Sequence, residues 1–139
     1  MEKVGDDVLN PLLQKAQRAV PLPGEVDPEA FLDDAELVVV SAGATVRGRE
    51  AIARTLHTFF RESFSETAEA VQTALLDGRH AACEWRFSGT HTGWLDGIAP
   101  TGKHVVLPLT AFYDLEDDGI RCVRLYYDTR TLLRQLGYA

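Results

Sequence analysis

The sequence predicts an α+β domain in which helices come first and a long, mostly antiparallel sheet follows. Apolar residues recur at helical spacing in residues 6–20 and 46–63, whereas residues 65–127 hold four apolar runs, joined in two pairs by Asp-Gly turns. Helices followed by a run of strands are typical of the α+β class. A strongly curved sheet with helices across its concave face forms a cone with a pocket inside. Such curvature requires bulges or glycine kinks, and Gly89 and Gly93 are candidates for them.

The helical part divides into three segments. The first helix is expected within residues 6–20 and starts near Asn10, because Pro11 fits only the first turn of a helix. Asp27 and Pro28 have the side chains of an N-cap and a first helical residue, and they predict a short helix through Leu32. A longer helix is expected in the stretch VRGREAIARTLHTFFRES, with an apolar stripe formed by Ile52, Leu56, Phe59 and Phe60.

The stretch AELVVVSA predicts a first strand, and four more strands follow the long helix. Asp77-Gly78 and Asp118-Gly119 predict hairpins, because type I′ turns need positive φ angles that Asp and Gly tolerate. The chain then closes with a short helix in DTRTLLRQLG, which Asp128 caps and Gly137 ends. The four later strands are expected at residues 65–76, 80–91, 103–114 and 120–127.

Composition and charge narrow the class of protein. A chain of 139 residues with 45% hydrophobic and 25% charged residues suits one soluble domain, spanning residues 1–139. The net charge of -7 disfavours nucleic acid and anionic membranes as partners. The acidic N-terminus does not resemble a secretory signal, and Cys83 and Cys122 fit buried thiols in a reducing compartment, so a cytoplasmic location is expected. No metal-ligand spacing is present, and no metal is expected.

Three stretches carry a resemblance to a known family: WRFSGTHTGWLDGIAPTGKHV, FYDLEDDGI and YYDTRTLLRQLG. They resemble the SnoaL-like polyketide cyclases of the nuclear transport factor 2-like superfamily, and the similarity extends upstream through FLDDAELVV and VRGREAI. The resemblance implies a cystatin-like cone, often a homodimer, with a largely apolar pocket. It also implies proton transfer on a carbon skeleton without a cofactor, by a carboxylic acid together with a histidine or a tyrosine. The same fold serves isomerases, dehydratases, epoxide-opening enzymes and binding proteins.

Three positions depart from what the resemblance implies for catalysis. The carboxylate of related epoxide hydrolases, and of the cyclases, would lie three positions before Asp128, where this chain has Leu125. The arginine and aspartate of those hydrolases fall on Thr92 and Trp94. These substitutions argue against limonene-type hydrolysis, and they weaken a cyclase mechanism centred on that carboxylate.

Three residues are the candidates for proton transfer: His91, Tyr127 and Asp128. An imidazole can donate or accept a proton near neutral pH, but a bulge at Gly89 or Gly93 would change the face on which His91 lies. Asp128 is more simply explained as a helix N-cap than as a catalytic acid. Asp33 and Asp34 are further acids that could lie at the end of the pocket.

Strand alternation and aromatic content select the residues expected to bind substrate. Val123, Leu125 and Tyr127 share one face of their strand, and the charged Arg124 on the other face places the first set inward. His57 could reach the mouth of the pocket from its helix. The alternative for the aromatic residues is an ordinary hydrophobic core. The expected substrate-binding residues are Trp85, Phe87, Trp94, Tyr113, Leu125 and His57.

These observations favour a cofactor-independent cyclase or isomerase that acts on a hydrophobic polyketide-like intermediate of secondary metabolism, such as antibiotic biosynthesis. Two alternatives remain: a binding protein that kept the cone and lost the chemistry, and an epoxide-opening cyclase or hydrolase. The outer face of the sheet predicts a homodimer that pairs through it, because its mixture of long amphipathic side chains and tyrosine is favoured in interfaces. The residues expected on this face are Glu84, Arg86, Cys122, Arg124 and Tyr126.

Overall fold

The computed structural model of the chain describes residues 2–3 and 27–138. In these residues seven strands form one sheet, in the spatial order β1-β4-β5-β6-β7-β2-β3. All neighbouring strands are antiparallel except β2 and β7, which are parallel, so the sheet is mixed. The strands are β1 Glu2–Lys3, β2 Phe31–Val39, β3 Ala44–Arg47, β4 Phe64–Asp77, β5 His80–His91, β6 His104–Glu116 and β7 Gly119–Tyr127.

Two α-helices accompany the sheet in the described part of the chain. Helix α1 spans Arg49–His57 and continues as a π-helical turn, Thr58–Glu62, while helix α2 spans Thr129–Gln135. Ile52 and Leu56 of α1 are buried in the same apolar cluster as the inner face of the sheet. The predicted α+β class with a curved mixed sheet is confirmed. The helix expected within residues 6–20 lies outside the described residues.

The predicted element bounds need three corrections near the start of the sheet. The short helix after Asp27 is a 3₁₀ turn, Pro28–Ala30, and the strand expected from Ala35 begins at Phe31. Val46 and Arg47 belong to strand β3, which the sequence did not predict, so the long helix begins only at Arg49. The capping prediction is confirmed, because the Asp27 carboxylate accepts a hydrogen bond from the Glu29 backbone N–H over 2.9 Å.

Alternation along β5 is regular, and it places large apolar side chains on one face. Trp85, Phe87 and His91 are fully buried, whereas Glu84 and Arg86, on either side of Trp85, are exposed. The register of β5 against β6 has no shift from His80 to Thr90. His91 therefore lies on the inner face with Trp85 and Phe87.

The irregularities that the curvature requires lie in β4 and in the pairings of β2 with β7 and of β6 with β7, rather than in β5. The pairing of β4 with β5 shifts twice, between Ser65 and Ala68 and between Val71 and Thr73. Glu66 in the first bulge has φ of +52°. Gly89 faces that bulge, and a Cβ atom there would come within 3.0 Å of Phe64 Cβ. The expectation of a kink at Gly89 itself is wrong: its missing side chain makes room for the bulge of the neighbouring strand.

The end of the chain forms the helix that the sequence predicts. Asp128 caps α2, and Gly137 ends it with φ of +92°. The Tyr138 N–H donates to the Leu133 carbonyl over 2.8 Å and the Gly137 N–H donates to the Arg134 carbonyl over 3.1 Å. This pair of hydrogen bonds is a Schellman motif, which satisfies the last free carbonyls of the helix.

Candidate active site

A cavity of about 360 Å³ opens at the end of the sheet where β2 and β7 finish. Its walls come from separate parts of the chain: the β2–β3 connection, the end of α1, the π-helical turn, the segment after β5, and the last residue of β7. Most of the lining is apolar, which is typical of a site for an organic ligand. The lining residues are Val39, Ala42, Ala44, Val46, Arg54, Thr55, Thr58, Phe59, Ser63, Trp94, Leu95, Asp96 and Tyr127.

The segment after β5 forms one wall because it is tied to Ser63. The backbone N–H groups of Thr92 and Gly93 both donate to the Ser63 carbonyl, over 3.1 and 3.0 Å. A Cβ atom at Gly93 would lie only 2.0 Å from the Glu62 carbonyl oxygen. Gly93 is therefore required for the close approach of two backbones, and the expectation that it kinks β5 is wrong, since β5 ends at His91.

A tight turn then brings Asp96 to the cavity. Leu95 and Ile98 exchange two backbone hydrogen bonds, of 3.0 and 2.7 Å, and the two residues between them have φ of +43° for Asp96 and +84° for Gly97. Positive φ at both central residues is the type I′ arrangement. The two Asp-Gly pairs for which the sequence predicts type I′ turns do not have this geometry. At residues 77–78 only Gly78 has a positive φ, and at residues 118–119 only Gly119 does.

Three hydroxyl groups on the cavity wall donate their protons within the protein. Thr55 Oγ1 donates to the Ala51 carbonyl and Thr58 Oγ1 to the Glu62 carboxylate, each over 2.8 Å. Ser63 Oγ lies 2.8 Å from the Trp94 carbonyl oxygen, to which it donates. The side-chain donors that remain on the wall for a ligand are therefore those of Arg54, Tyr127 and the exposed indole N–H of Trp94.

Tyr127 carries the hydroxyl that best fits a role in chemistry. Burial raises the pKa of its phenol, a hydrogen bond from Ser41 lowers it, and the negative charge of Asp96 raises it. The net direction is upward, so the hydroxyl keeps its proton well above neutral pH. Tyr127 is a hydrogen-bond donor in this site, and its ring packs 5.6 Å from that of Phe59.

His91 is fully buried and does not line the cavity. Its Nδ1 accepts a hydrogen bond of 3.1 Å from the Thr101 backbone N–H, and it lies 3.0 Å from Thr101 Oγ1. A backbone N–H can only donate, so Nδ1 carries the lone pair and the proton is on Nε2. Nε2 has no hydrogen-bond partner among the described residues. The ring packs 5.7 Å from Phe64, which in turn contacts Phe59. The imidazole is thus a neutral donor behind the aromatic wall, and its part in catalysis stays a prediction.

Four of the residues expected to bind substrate lie in the closed interior. Trp85, Phe87, Tyr113 and Leu125 are buried in the core cluster and none of them lines the cavity. Trp85 Nε1 and Tyr113 Oη have no hydrogen-bond partner in the described part of the chain, and burial raises the pKa of Tyr113. Contact with a substrate stays a prediction for this set, since the interior would have to open.

The other two expected substrate contacts differ from each other. His57 is exposed at the end of α1 and does not line the cavity. Trp94 does line it, with 66% of the residue exposed. Trp94 lies in the segment after β5, which ends at His91. An exposed indole beside an apolar cavity is suited to cover a bound ligand.

The aspartates considered as acids have structural partners. Asp128 accepts hydrogen bonds from the Arg130 N–H and Thr131 Oγ1, over 3.0 and 2.8 Å, and these lower its pKa. Asp33 pairs with Arg49 over 2.9 Å, and Asp34 pairs with Arg121. None of the three lines the cavity, and capping is what the geometry of Asp128 provides.

A buried acid was missed in the sequence. Glu69 lies on β4 opposite Phe87, its side chain is fully buried, and it accepts a hydrogen bond of 2.9 Å from Arg61. Burial raises its pKa, while Arg61 opposes that shift. In the pattern of β4, Glu69 looks like one of several exposed glutamates, and only the bulge turns it inward. It does not line the cavity.

No group of three or more His, Cys, Asp or Glu side chains in residues 2–3 and 27–138 is placed to hold a metal ion. Within the same residues, every helix is too short or too polar to cross a membrane.

The fold and the cavity define a cone-shaped α+β domain of the ketosteroid isomerase-like or nuclear transport factor 2-like class. The model of the SnoaL-like polyketide cyclase family matches residues 28–136, and the chain belongs to that family. The resemblance noted in the sequence is thereby confirmed. No match to the chain was found among curated proteins.

Solved structures support the fold. A protein of Jannaschia sp. CCS1 described as a SnoaL-like polyketide cyclase has a TM-score of 0.79 at 18% identity, over 97% of this chain and 99% of that chain. TsrD from Streptomyces laurentii has a TM-score of 0.77 at 20% identity, over 95% and 100%. A Catenulispora acidiphila protein with a ketosteroid isomerase-like fold, solved with trimethylamine, has a TM-score of 0.73 at 20% identity, over 94% and 96%. Identities this low show a shared fold.

Proposed function

We propose that the chain is a cofactor-independent cyclase or isomerase that acts on a hydrophobic polyketide-like intermediate of secondary metabolism. Membership of the SnoaL-like family supports the cyclase or isomerase class. The observation that carries the proposal is the apolar cavity with the protonated Tyr127 hydroxyl on its wall. A donor in an apolar site suits a substrate whose carbonyl oxygen gains negative charge during the reaction.

The site contributes to the reaction in two ways. Its apolar walls exclude water and hold a flexible substrate in a folded conformation, which lowers the entropic cost of ring closure. Tyr127 donates a hydrogen bond to the substrate carbonyl, and Arg54 stabilises negative charge on the oxygen of an enolate. His91, as a neutral Nε2–H donor, would add to this only for a substrate that passes the Phe64 and Phe59 rings.

The size of the cavity limits the substrate. A volume of about 360 Å³ lies near the lower end of the roughly 300 to 1,000 Å³ found for ligand pockets. A compact substrate that forms one or two rings fits this space better than a long extended chain. The exposed Trp94 at the rim leaves room for a longer tail to project outward.

The test uses two neighbouring tyrosines. Tyr127→Phe removes the hydroxyl on the cavity wall, whereas Tyr126→Phe removes a hydroxyl on the opposite, exposed face of the same strand. Purified proteins are incubated with short synthetic poly-β-ketone thioesters, and chromatography with mass detection follows the cyclised isomer and its dehydrated product. We expect Tyr127→Phe to lower kcat on the order of 100-fold and Tyr126→Phe to leave it unchanged. Equal turnover by both variants would remove Tyr127 from the mechanism.

A second candidate, a binding protein without chemistry, is favoured by one observation. Leu125 is buried in the interior of the sheet together with Phe60, Phe87 and Trp85, at the position where the resemblance implies a carboxylic acid. Native mass spectrometry after mild purification separates the two candidates. A retained apolar ligand together with no turnover of any thioester would establish the binding protein.

We further propose that the chain pairs into a homodimer through the outer face of the sheet. Phe112 and Tyr126 are exposed there and pack edge-to-face at 5.8 Å, beside the ion pair of Arg124 with Asp114. Aromatic residues and arginine are enriched in interfaces. Light scattering at micromolar concentration should give the mass of a dimer, and Arg124→Glu should weaken it. A monomeric mass for the unmodified protein would overturn this proposal.

A further inference from the structure

The cavity holds one carboxylate whose position is fixed by the backbone. Among the lining residues Asp96 is the acid, and with the described part of the chain its side chain forms no hydrogen bond or ion pair. The other acids considered above cap a helix, pair with arginines, or lie away from the cavity. A carboxylate that lacks a structural partner and faces an apolar cavity is available to a ligand.

The turn that carries Asp96 is held in place from both sides. The type I′ geometry of residues 95–98 fixes the backbone of Asp96, and three hydrogen bonds attach the preceding segment to Ser63. The close contact of Gly93 with the Glu62 carbonyl leaves no room for this segment to shift inward. The carboxylate is thus presented from a rigid wall, which is what a group that transfers protons requires.

Asp96 and Tyr127 act on the same space. Both line the cavity, and the charge of Asp96 is close enough to influence the phenol of Tyr127. A carboxylate accepts a proton while a phenol donates a hydrogen bond, so the two groups are complementary for removing a proton next to a carbonyl. The sequence alone does not predict a role for Asp96, because there it is only one residue of a loop.

We propose that Asp96 is the catalytic base of the cavity and that Tyr127 stabilises the enolate it generates. This inference rests on the proposed function. The Asp96 carboxylate takes a proton from the carbon between two carbonyl groups, and the C–H electron pair becomes the enolate, whose oxygen accepts a hydrogen bond from Tyr127. The enolate carbon attacks a second carbonyl carbon of the same molecule and forms the new C–C bond. The resulting alkoxide takes the proton back from Asp96, which restores the carboxylate and leaves a hydroxyl on the product.

The test needs a probe that does not depend on knowing the natural substrate. In 5-nitrobenzisoxazole, a base removes one ring proton, the C–H electron pair forms a nitrile, and the N–O bond breaks to release a coloured phenolate. Asp96 is exposed in the empty cavity, and a bound aromatic probe displaces water from beside the carboxylate, which makes it a stronger base toward the ring proton. The probe is also small enough for a cavity of about 360 Å³.

The decisive variant is Asp96→Asn. Asparagine tolerates positive φ as well as aspartate does and favours the same type I′ turn, so the fold of the wall is kept while the charge is lost. The matched control is Asp118→Asn, which changes another aspartate that precedes a glycine in a turn but lies outside the cavity. We expect Asp96→Asn to lower the rate of phenolate release at least 10-fold and Asp118→Asn to leave it unchanged.

Binding of the apolar dye Nile red, followed by its fluorescence, reports on the cavity separately. The inference is overturned if the unmodified protein and Asp96→Asn both bind the dye and release phenolate at equal rates. It is also overturned if both bind the dye and neither releases phenolate. In either case Asp96 is not the base, and the proposed function stands on Tyr127 alone. A loss of turnover in Asp96→Asn that is matched by a loss of dye binding also overturns the inference, because the residue would then act on binding. If the unmodified protein does not bind the dye, the cavity is not a ligand site, and both proposals fail.

Discussion

The interior of the sheet and its open end are built by the same strands, yet one is closed and the other holds a cavity. In the interior, Phe60 and Phe87 meet edge-to-face at 5.0 Å, and Trp85 and Tyr113 are fully buried. At the open end, Phe59 and Tyr127 pack at 5.6 Å but leave about 360 Å³ beside them. Two neighbouring residues of the π-helical turn therefore lie in different regions: Phe60 packs in the closed interior, and Phe59 lines the cavity at the open end.

The difference shows where the polar groups of this domain can act. Buried donors without a described partner occur in the interior, on Trp85 and Tyr113, but no ligand reaches them in the closed conformation. Accessible groups occur at the open end, on Arg54, Asp96 and Tyr127. Function is thus expected at the open end, while the interior supplies stability.

The largest effect is expected from truncating the interior. Phe87→Ala should lower the free energy of unfolding by about 3 to 5 kcal/mol, since it leaves a void that the packed rings around it cannot fill. Phe59→Ala should cost about 1 to 2 kcal/mol, because it enlarges a cavity that is already open. Urea unfolding measures both. Similar losses for the two variants would mean that the interior and the open end are equally well packed.

The second effect concerns the wall of the open end. Gly93→Ala should cost about 1 to 3 kcal/mol, because the new methyl group would overlap the Glu62 carbonyl at 2.0 Å and push the segment away from Ser63. Gly78→Asn is the control, since nothing lies within 4 Å of its Cβ position, its φ of +60° falls in the left-handed region that asparagine adopts, and it lies away from the cavity. Thermal unfolding followed with Nile red binding reports stability and the cavity together. Unchanged dye binding in Gly93→Ala would show that this contact does not shape the cavity.

The sequence predicts the closed interior of the sheet better than it predicts the open end. Alternation of apolar and polar residues predicts strands β5 and β7, because each has one buried and one exposed face. It also predicts which of their side chains point inward: Trp85, Phe87, Val123 and Leu125. The exposed strand β3 was missed, since a strand of four residues without a buried side chain carries no such pattern.

The cavity could not be predicted from local patterns. Its walls come from segments that lie far apart in the chain, and nothing in the sequence near Ser63 shows that it holds residues 92–94. A signal did exist for Asp96: the pair Asp96-Gly97 is a strong type I′ dipeptide. The dipeptide alone does not predict a hairpin, because its flanks, Leu95 and Ile98, do not belong to strand-like apolar runs and form only an isolated bridge.

The third prediction tests His91, which lies between the two regions. His91→Phe should cost about 1 to 3 kcal/mol, because it fills the space but leaves the Thr101 N–H without an acceptor. His91→Asn should cost less, since its amide oxygen can take the place of Nδ1 while the Nε2–H is lost. If His91 has a structural role only, turnover of the thioesters by folded His91→Asn equals that of the unmodified protein. A drop in kcat with normal stability would instead give the imidazole a part in the reaction.

The smallest effect is expected at Asp128, which follows Tyr127 directly but belongs to the helix rather than to the cavity. Asp128→Ala should lower the free energy of unfolding by less than any variant above, since only the Arg130 N–H and the Thr131 hydroxyl lose their acceptor. Asp128→Ser should restore most of this loss, because serine is also a good N-cap.

The pKa of Asp128 is lowered in the folded protein. Its carboxylate therefore adds stability at neutral pH that is lost as the pH falls through this pKa. Asp128→Ala should for this reason flatten the acid side of the profile of stability against pH. Turnover at neutral pH should be the same for folded Asp128→Ser and the unmodified protein. A fall in kcat that serine does not restore would show that Asp128 acts on the substrate and that the open end extends past Tyr127.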